Sequence, residues 1–330
     1  MKRKKILLVD NDSSIPNLAL MKLSMYHKNR GNRVDIKCLH NTFYPYAKKK
    51  TLNVDGYDRV YVSTIFDTNK DLVTGKNIQQ GGTGINLTEV LPDKIERLNP
   101  DYSIYPECDY SIGFITRGCV RKCYFCKVPE KEGLIHQVDT VDNIIKHKKV
   151  KFLDNNILAF NKHPEILSEI IKANVRSTFI QGLDIRLVNK TNSLLLSKLH
   201  YINEYTFALD NITEIDTFDK KLSLMQWRRP WQFKSYVYVH PSMKVSDTVN
   251  RIKYLRSMKI YPYIMRDVSV YDSEFNLFYT DIAGWCNRPF AFKFLSFMDF
   301  MQYMYITRVK VIRKKSIERI KHNLELYDSK

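Results

Sequence analysis

The chain has 330 residues, with 53 Lys and Arg against 35 Asp and Glu and a formal net charge of +18 at pH 7. Its 44% hydrophobic content, with only 11 Gly and 11 Pro, allows a buried core and excludes a disordered basic tail or a low-complexity chain. The basic Met1–Lys5 start is followed by an apolar run of only Ile6–Val9, too short for a signal peptide. No stretch of about 18 apolar residues occurs; even Phe290–Ile306 is broken by Lys293, Asp299 and Gln302. These features predict a cytoplasmic protein that does not enter a membrane. The positive charge suits an anionic substrate or a nucleic acid, but Lys, Asn, Ile and Tyr are abundant throughout, so charge alone identifies no partner.

In chain order, Lys5–Val9 reads as a strand ending in Asp10-Asn11-Asp12. Pro16 opens a helix carrying Leu18, Met21 and Met25 on one face and closing near Gly31. Val34–Leu39 and Arg59–Ile65 read as further strands, so residues 1–100 predict an open parallel α/β unit. Asp71 to Asn99 reads as a loop-rich linker containing Gly81-Gly82-Thr83-Gly84. That run lacks the Gly-x4-Gly-Lys-Ser/Thr frame, which argues against nucleotide hydrolysis.

From Ser111 a strand-then-helix beat repeats. Strands are expected at Ile112–Thr116, Val150–Leu153, Ser177–Gln181, Tyr205–Leu209, Tyr236–His240 and Tyr261–Met265. Helices are expected at Val141–Lys148, Pro164–Ala173, Ser193–Leu199 and Asp247–Met258. Six such units suit a barrel-like parallel sheet with ligands at the carboxyl ends of its strands; two doubly wound sheets fit nearly as well. The expected organisation is an α/β unit over 1–100, a β/α core over 101–270 and an aromatic, helical extension over 271–330. The extension is basic at Arg308, Lys310, Arg313, Lys314 and Lys315, read as a solvated helix face. Gln226-Trp227-Arg228-Arg229-Pro230-Trp231 interleaves aromatics and cations, a pattern able to stack on bases, although tryptophans folded onto the core are the commoner outcome.

Of the six cysteines, Cys38, Cys108, Cys119, Cys123, Cys126 and Cys286, three crowd into residues 119–126. In a reducing compartment such a cluster binds metal more often than it forms disulfides. Zinc wants four closed ligands, and Cys108 or His136 could complete a set, but neither lies in a second Cys-x-x-Cys knuckle. Cys-x3-Cys-x2-Cys on a loop after a strand fits a [4Fe–4S] cluster held by three thiolates, with one iron open to another ligand. Arg117, Arg121 and Lys122 would favour thiolates and a negatively charged cluster.

Cys119-x3-Cys123-x-Phe125-Cys126 resembles the signature of the radical S-adenosylmethionine enzymes. Gly113-Phe114-Ile115-Thr116-Arg117-Gly118-Cys119, Leu153-Asp154-Asn155-Asn156 and Gln181-Gly182-Leu183-Asp184-Ile185-Arg186 extend the likeness over most of the chain, toward members with an amino-terminal cobalamin-binding-like domain. The resemblance implies a Rossmann-like first domain, a partial (β/α)6 barrel and an external one-electron reductant such as flavodoxin or ferredoxin. It also implies that the open iron binds S-adenosylmethionine, whose reductive cleavage gives methionine and a 5′-deoxyadenosyl radical that abstracts a substrate hydrogen. Which residue acts on the substrate is not indicated.

By the same resemblance, Asp154, Asn155 and Asn156 stand where family members usually carry a Gly-Gly-Glu-like segment contacting the cofactor's amino group. Short polar residues there are also ordinary turn formers. Gln181, Asp184 and Arg186 follow the next strand; Arg186 is placed either on the methionine carboxylate or in an ion pair with Asp184. Asp210 and His240 end later strands; His240 could meet adenine or ribose, but beside Pro241 it is more often a turn residue. Met265 closes the sixth strand and equally suits core filling. Asp10-Asn11-Asp12-Ser13-Ser14 replaces the usual cobalamin motif Asp-x-His-x-x-Gly, so cobalamin is not expected. Two other functions fit parts of the pattern: a zinc-stabilised nucleic-acid-binding protein without catalysis, and an RNA-modifying methylthiotransferase-like enzyme. The latter would need three further cysteines before the motif, where only Cys38 and Cys108 stand.

Overall fold

The run Ile6–Val9 is fully buried because it becomes the inner strand of a parallel sheet. The structure, a computed structural model, describes residues 3–44, 46–307 and 314–328. Arg308, Lys310 and Arg313 of the expected basic face lie outside the described residues. The chain is a mixed α/β protein that divides into two compact units, Met1–Asn155 and Asn156–Lys330, a division falling within the 101–270 segment.

In the first unit β1 (Lys5–Asp10) pairs in parallel with β2 (Arg33–Cys38) and β4 (Arg59–Ser63), and β4 with β6 (Ile78–Gly81). Leu7, Val9, Val60 and Val62 form the core of this sheet. Short β3 (Leu52–Val54) and β5 (Val73–Gly75) pair beside it. Helix α1 (Leu18–Lys28) is capped by the Asn17 side chain and buries Leu20, Met21 and Leu23. The segment expected to be linker thus holds β5, β6 and the single-turn α2 (Asp93–Glu96). Its glycines are structural: a Cβ at Gly82 would stand 2.3 Å from the Thr64 carbonyl oxygen, so only glycine lets the chain fold back over the end of β4.

Next come β7 (Ser111–Gly113), β8 (Thr116–Arg117), α3 (Val128–Glu132), β9 (His136–Gln137), α4 (Val141–Ile144) and β10 (Lys149–Phe152). Strands β7 and β10 pair in parallel, and β8 and β9 form an antiparallel pair. Helix α4 stops short of the expected Lys148 because the Ser111 hydroxyl accepts the N–H groups of Lys146 (2.7 Å) and His147 (2.9 Å), drawing the backbone out of the helix.

The second unit holds α5 (His163–Lys172), β11 (Arg176–Phe179), α6 (Lys190–Lys198), β12 (His200–Tyr201), β13 (Tyr205–Ala208), α7 (Ile215–Leu222), β14 (Phe233–Val239), α8 (Val245–Ser257) and β15 (Tyr261–Arg266). Strands β13, β14 and β15 form a parallel sheet, and β11 pairs in parallel with β12. Trp227 donates to the Ser193 hydroxyl (3.1 Å) and packs on Tyr205 and Phe233, while Trp231 tilts onto Tyr261, so both tryptophans fold inward. After α9 (Asn276–Cys286), α10 (Pro289–Phe294) and α11 (Phe297–Gln302), helix α12 (Lys314–Asp328) is tied back through buried Asp281. That carboxylate accepts from Arg319 (2.8 Å), Tyr305 (2.6 Å) and Asn323 (2.7 Å). Among the described residues no helix is long and apolar enough to cross a membrane.

Candidate metal centre

Cys119, Cys123 and Cys126 lie on the excursion between β8 and β9, each half-buried. The excursion has a fixed root. Gly118 adopts φ +88°, and a Cβ there would lie 2.5 Å from the Leu134 carbonyl oxygen. The Cys119 N–H donates to the Gly133 carbonyl (3.1 Å), closing the loop's two ends on one another. The Arg121 N–H donates to the Cys119 sulfur (3.3 Å), and the Cys126 N–H to the Cys123 carbonyl (3.0 Å). Arg117 pairs with Glu132 (3.1 Å), which closes α3, and with Glu96 (3.2 Å), which also holds Lys22. Its charge is therefore neutralised by carboxylates rather than left for the sulfurs, as the sequence suggested. Neither Glu96 nor Glu132 carried a signal in the sequence that marked it as part of this root.

Asp154 and Asn155, just after β10, hold the same root. The Asp154 carboxylate is sealed from solvent and accepts the N–H of Ile115 (3.2 Å) together with the N–H (2.6 Å) and hydroxyl (2.7 Å) of Thr116. Burial pushes its carboxyl up to about 6, against these hydrogen bonds, which favour the charged form. The Asn155 side-chain oxygen accepts the Gly118 N–H (2.9 Å). Two of the three residues expected at the cofactor's amino group, Asp154 and Asn155, are thus used on the backbone that carries the cysteines.

In the second unit, Asn156 lies near the Asp184 carboxylate (3.5 Å). Asp184 is almost wholly buried and binds Arg186 through Nε (2.7 Å) and Nη2 (3.2 Å), while Nη1 reaches Glu214 (2.7 Å). The ion-pair alternative for Arg186 is present, with Glu214 as an additional partner that sequence alone did not indicate. Gln181 is exposed at the turn after β11, where Gly182 takes φ +89°. His240 accepts the Ser242 N–H at Nδ1 (3.1 Å), so it serves the turn and its neutral form carries the proton on Nε2. Asp210 accepts the Tyr238 N–H (3.0 Å), and burial raises its carboxyl. Met265 is exposed rather than core filling.

Donor chemistry tests whether a cluster fits. Three thiols within eight residues, on a loop with a fixed root, suit thiolate ligation of iron. Among the described residues no three His, Cys, Asp or Glu side chains converge as ligands of one metal ion would. The thiolates of a cubane each hold a different iron, and need not converge in that way. Outside the motif, burial raises the thiols of Cys38, Cys108 and, most strongly, Cys286, and Cys108 donates to the Tyr110 carbonyl (3.2 Å). His136, the other candidate zinc ligand, is exposed and turned to the Leu134 carbonyl (2.9 Å). No protein-family model matches the chain, and no curated protein is significantly similar to it.

Proposed function

We propose that the protein is a radical S-adenosylmethionine enzyme whose [4Fe–4S] cluster is held by Cys119, Cys123 and Cys126. The observation that carries this reading is the three-cysteine loop, supported at its root by Gly118, Asp154 and Asn155. When bound, the cluster would supply one electron to S-adenosylmethionine and so generate a 5′-deoxyadenosyl radical.

In this reading the chain's own residues do three things. The thiols ionise to bind iron. Asp154 and Asn155 are positioning residues that set where Thr116 and Gly118 enter the loop. The Arg121 N–H, directed at the Cys119 sulfur, stabilises its thiolate. Asp184 and Arg186 are assigned to each other. The series from Ser111 to Arg266 is read as a partial (β/α)6 barrel, and the first sheet as a Rossmann-like domain without cobalamin. The electron would come from an external donor of the flavodoxin or ferredoxin type.

The test is iron and acid-labile sulfide content after anaerobic reconstitution. A brown protein with about four irons supports the reading. A colourless protein that retains zinc would instead favour the zinc-stabilised binding protein.

A further inference from the structure

The first unit contains a groove of about 1540 Å³. Its floor is the face of β4 and β6 that carries Tyr61, Ser63 and Gln79; α1 forms one wall and the Leu91–Leu98 segment the other. The face is open because the chain passes from β4 to β6 and onward through short strands, loops and the single turn of α2, with no long helix to cover it. A single small ligand fills about 300–1,000 Å³, so the groove has room for something longer.

Its charge is uneven. Lys4, Arg30, Arg59 and Lys94 line one end, all exposed, and none has a carboxylate partner among the described residues. Among the lining acids, Glu96 and Glu132 are held by Lys22 and Arg117, while Asp93 is exposed and meets Arg97 at 3.6 Å. Asp139 accepts the Thr140 N–H and the Asn143 side-chain amide, and Glu89 also lines the groove. The cations lie against rings. The Arg30 guanidinium sits 3.7 Å and the Lys94 ammonium 5.9 Å from the Tyr26 centroid, and Arg59 lies 5.6 Å from that of Tyr61. Between these rings, buried His27 is held near pKa 4 by desolvation and then by the charges of Arg30, Arg59 and Lys4, which marks a locally positive field. The lining also includes Phe114 and Arg117, the latter two residues before Cys119.

We propose that this groove binds a single-stranded nucleic acid, with phosphates on Arg30, Arg59 and Lys94 and bases stacked along the tyrosine–guanidinium platforms. Cations beside flat rings in a groove of this volume match a strand whose anionic backbone alternates with stackable bases, and a folded duplex cannot lay its bases on those rings. That the strand is also the substrate rests on the radical reading above; that it binds does not.

Fluorescence anisotropy with a labelled twelve-nucleotide RNA tests the groove, with a duplex of the same sequence as the second probe. The triple variant Arg30→Ala, Arg59→Ala, Lys94→Ala should bind at least about tenfold more weakly, and its slope of log affinity against log salt should fall by about 2, one increment of about 0.7 per lost phosphate contact. Lys37→Ala, Lys76→Ala, Lys148→Ala removes as much charge from outside the groove and should leave binding within about threefold of wild type. Lys94→Glu, an exposed change on a single helical turn, should by itself weaken binding if the triple variant does not fold. Cys123→Ala should bind RNA as wild type does, which separates failure of the groove from failure of the cluster. Wild-type affinity in the triple variant, an equal loss in the control, or duplex binding as tight as single-strand binding would overturn the proposal.

Discussion

The Asp154 carboxylate, at the end of β10, accepts both the backbone N–H and the hydroxyl of Thr116, two residues before the glycine that opens the cysteine loop. A carboxylate with no solvent contact is costly unless its acceptors are used, and here three donors from Ile115 and Thr116 use them. Together these bonds tie the root of the loop to the end of β10.

Asp154 should titrate with a midpoint near 6, read from its side-chain carboxyl shift by NMR and assigned with Asp154→Asn. Because the folded value is raised above the unfolded one, the folded chain holds the extra proton between about pH 4 and 6. Its contribution to stability is complete below about pH 4 and is lost as pH rises through 6, on the order of 3 kcal/mol. The stability advantage of wild type over Asp154→Asn should shrink across that window. A midpoint below 4 would contradict this account.

Gly118→Ala should cost about 1–3 kcal/mol in urea unfolding, because alanine must hold φ +88° and press its methyl group on the Leu134 carbonyl. Iron loading should fall with it. Gly31→Ala also meets a positive φ, but with nothing within 4 Å of the added carbon, and should retain full iron.

Arg186→Ala should destabilise the chain by leaving the buried Asp184 carboxylate short of its counter-charge. A double-mutant cycle with Asp184→Asn should give a coupling of about 1–2 kcal/mol. Additive single effects would show that the pair contributes no energy of its own.

Asp10, Asn11 and Asp12 are already engaged with Tyr105 (2.7 Å), with Thr64 (3.1 Å) and with the Ile65 N–H (2.8 Å), respectively. Offering them to a corrinoid would break these bonds. Equilibrium dialysis should therefore show no retention of hydroxocobalamin, and near-stoichiometric retention would refute this.

Strand β1 was legible because a strand buried on both faces reads as an unbroken apolar run, as Ile6–Val9 does; others, such as β15, were legible from alternation and bounding turns, and the expected strands fall within a few residues of those observed. Strand β6 was not, because Ile78-Gln79-Gln80-Gly81 offers only one apolar residue, Ile78, to the core. The end of α4 was set by Ser111, thirty-five residues earlier in the chain, a contact no local pattern encodes. At the site, spacing identified the three cysteines. The task of Asp154 was hidden because its donors lie 38 and 39 residues away, and a polar residue after a strand looks the same whether it serves a ligand or its own backbone.

The central claim is tested most directly by incubating the reconstituted protein anaerobically with dithionite and S-adenosylmethionine and quantifying 5′-deoxyadenosine. Wild type and Cys108→Ala should both form it, and Cys123→Ala should form none. Equal 5′-deoxyadenosine from Cys123→Ala, or none from an iron-replete wild type, would contradict the account.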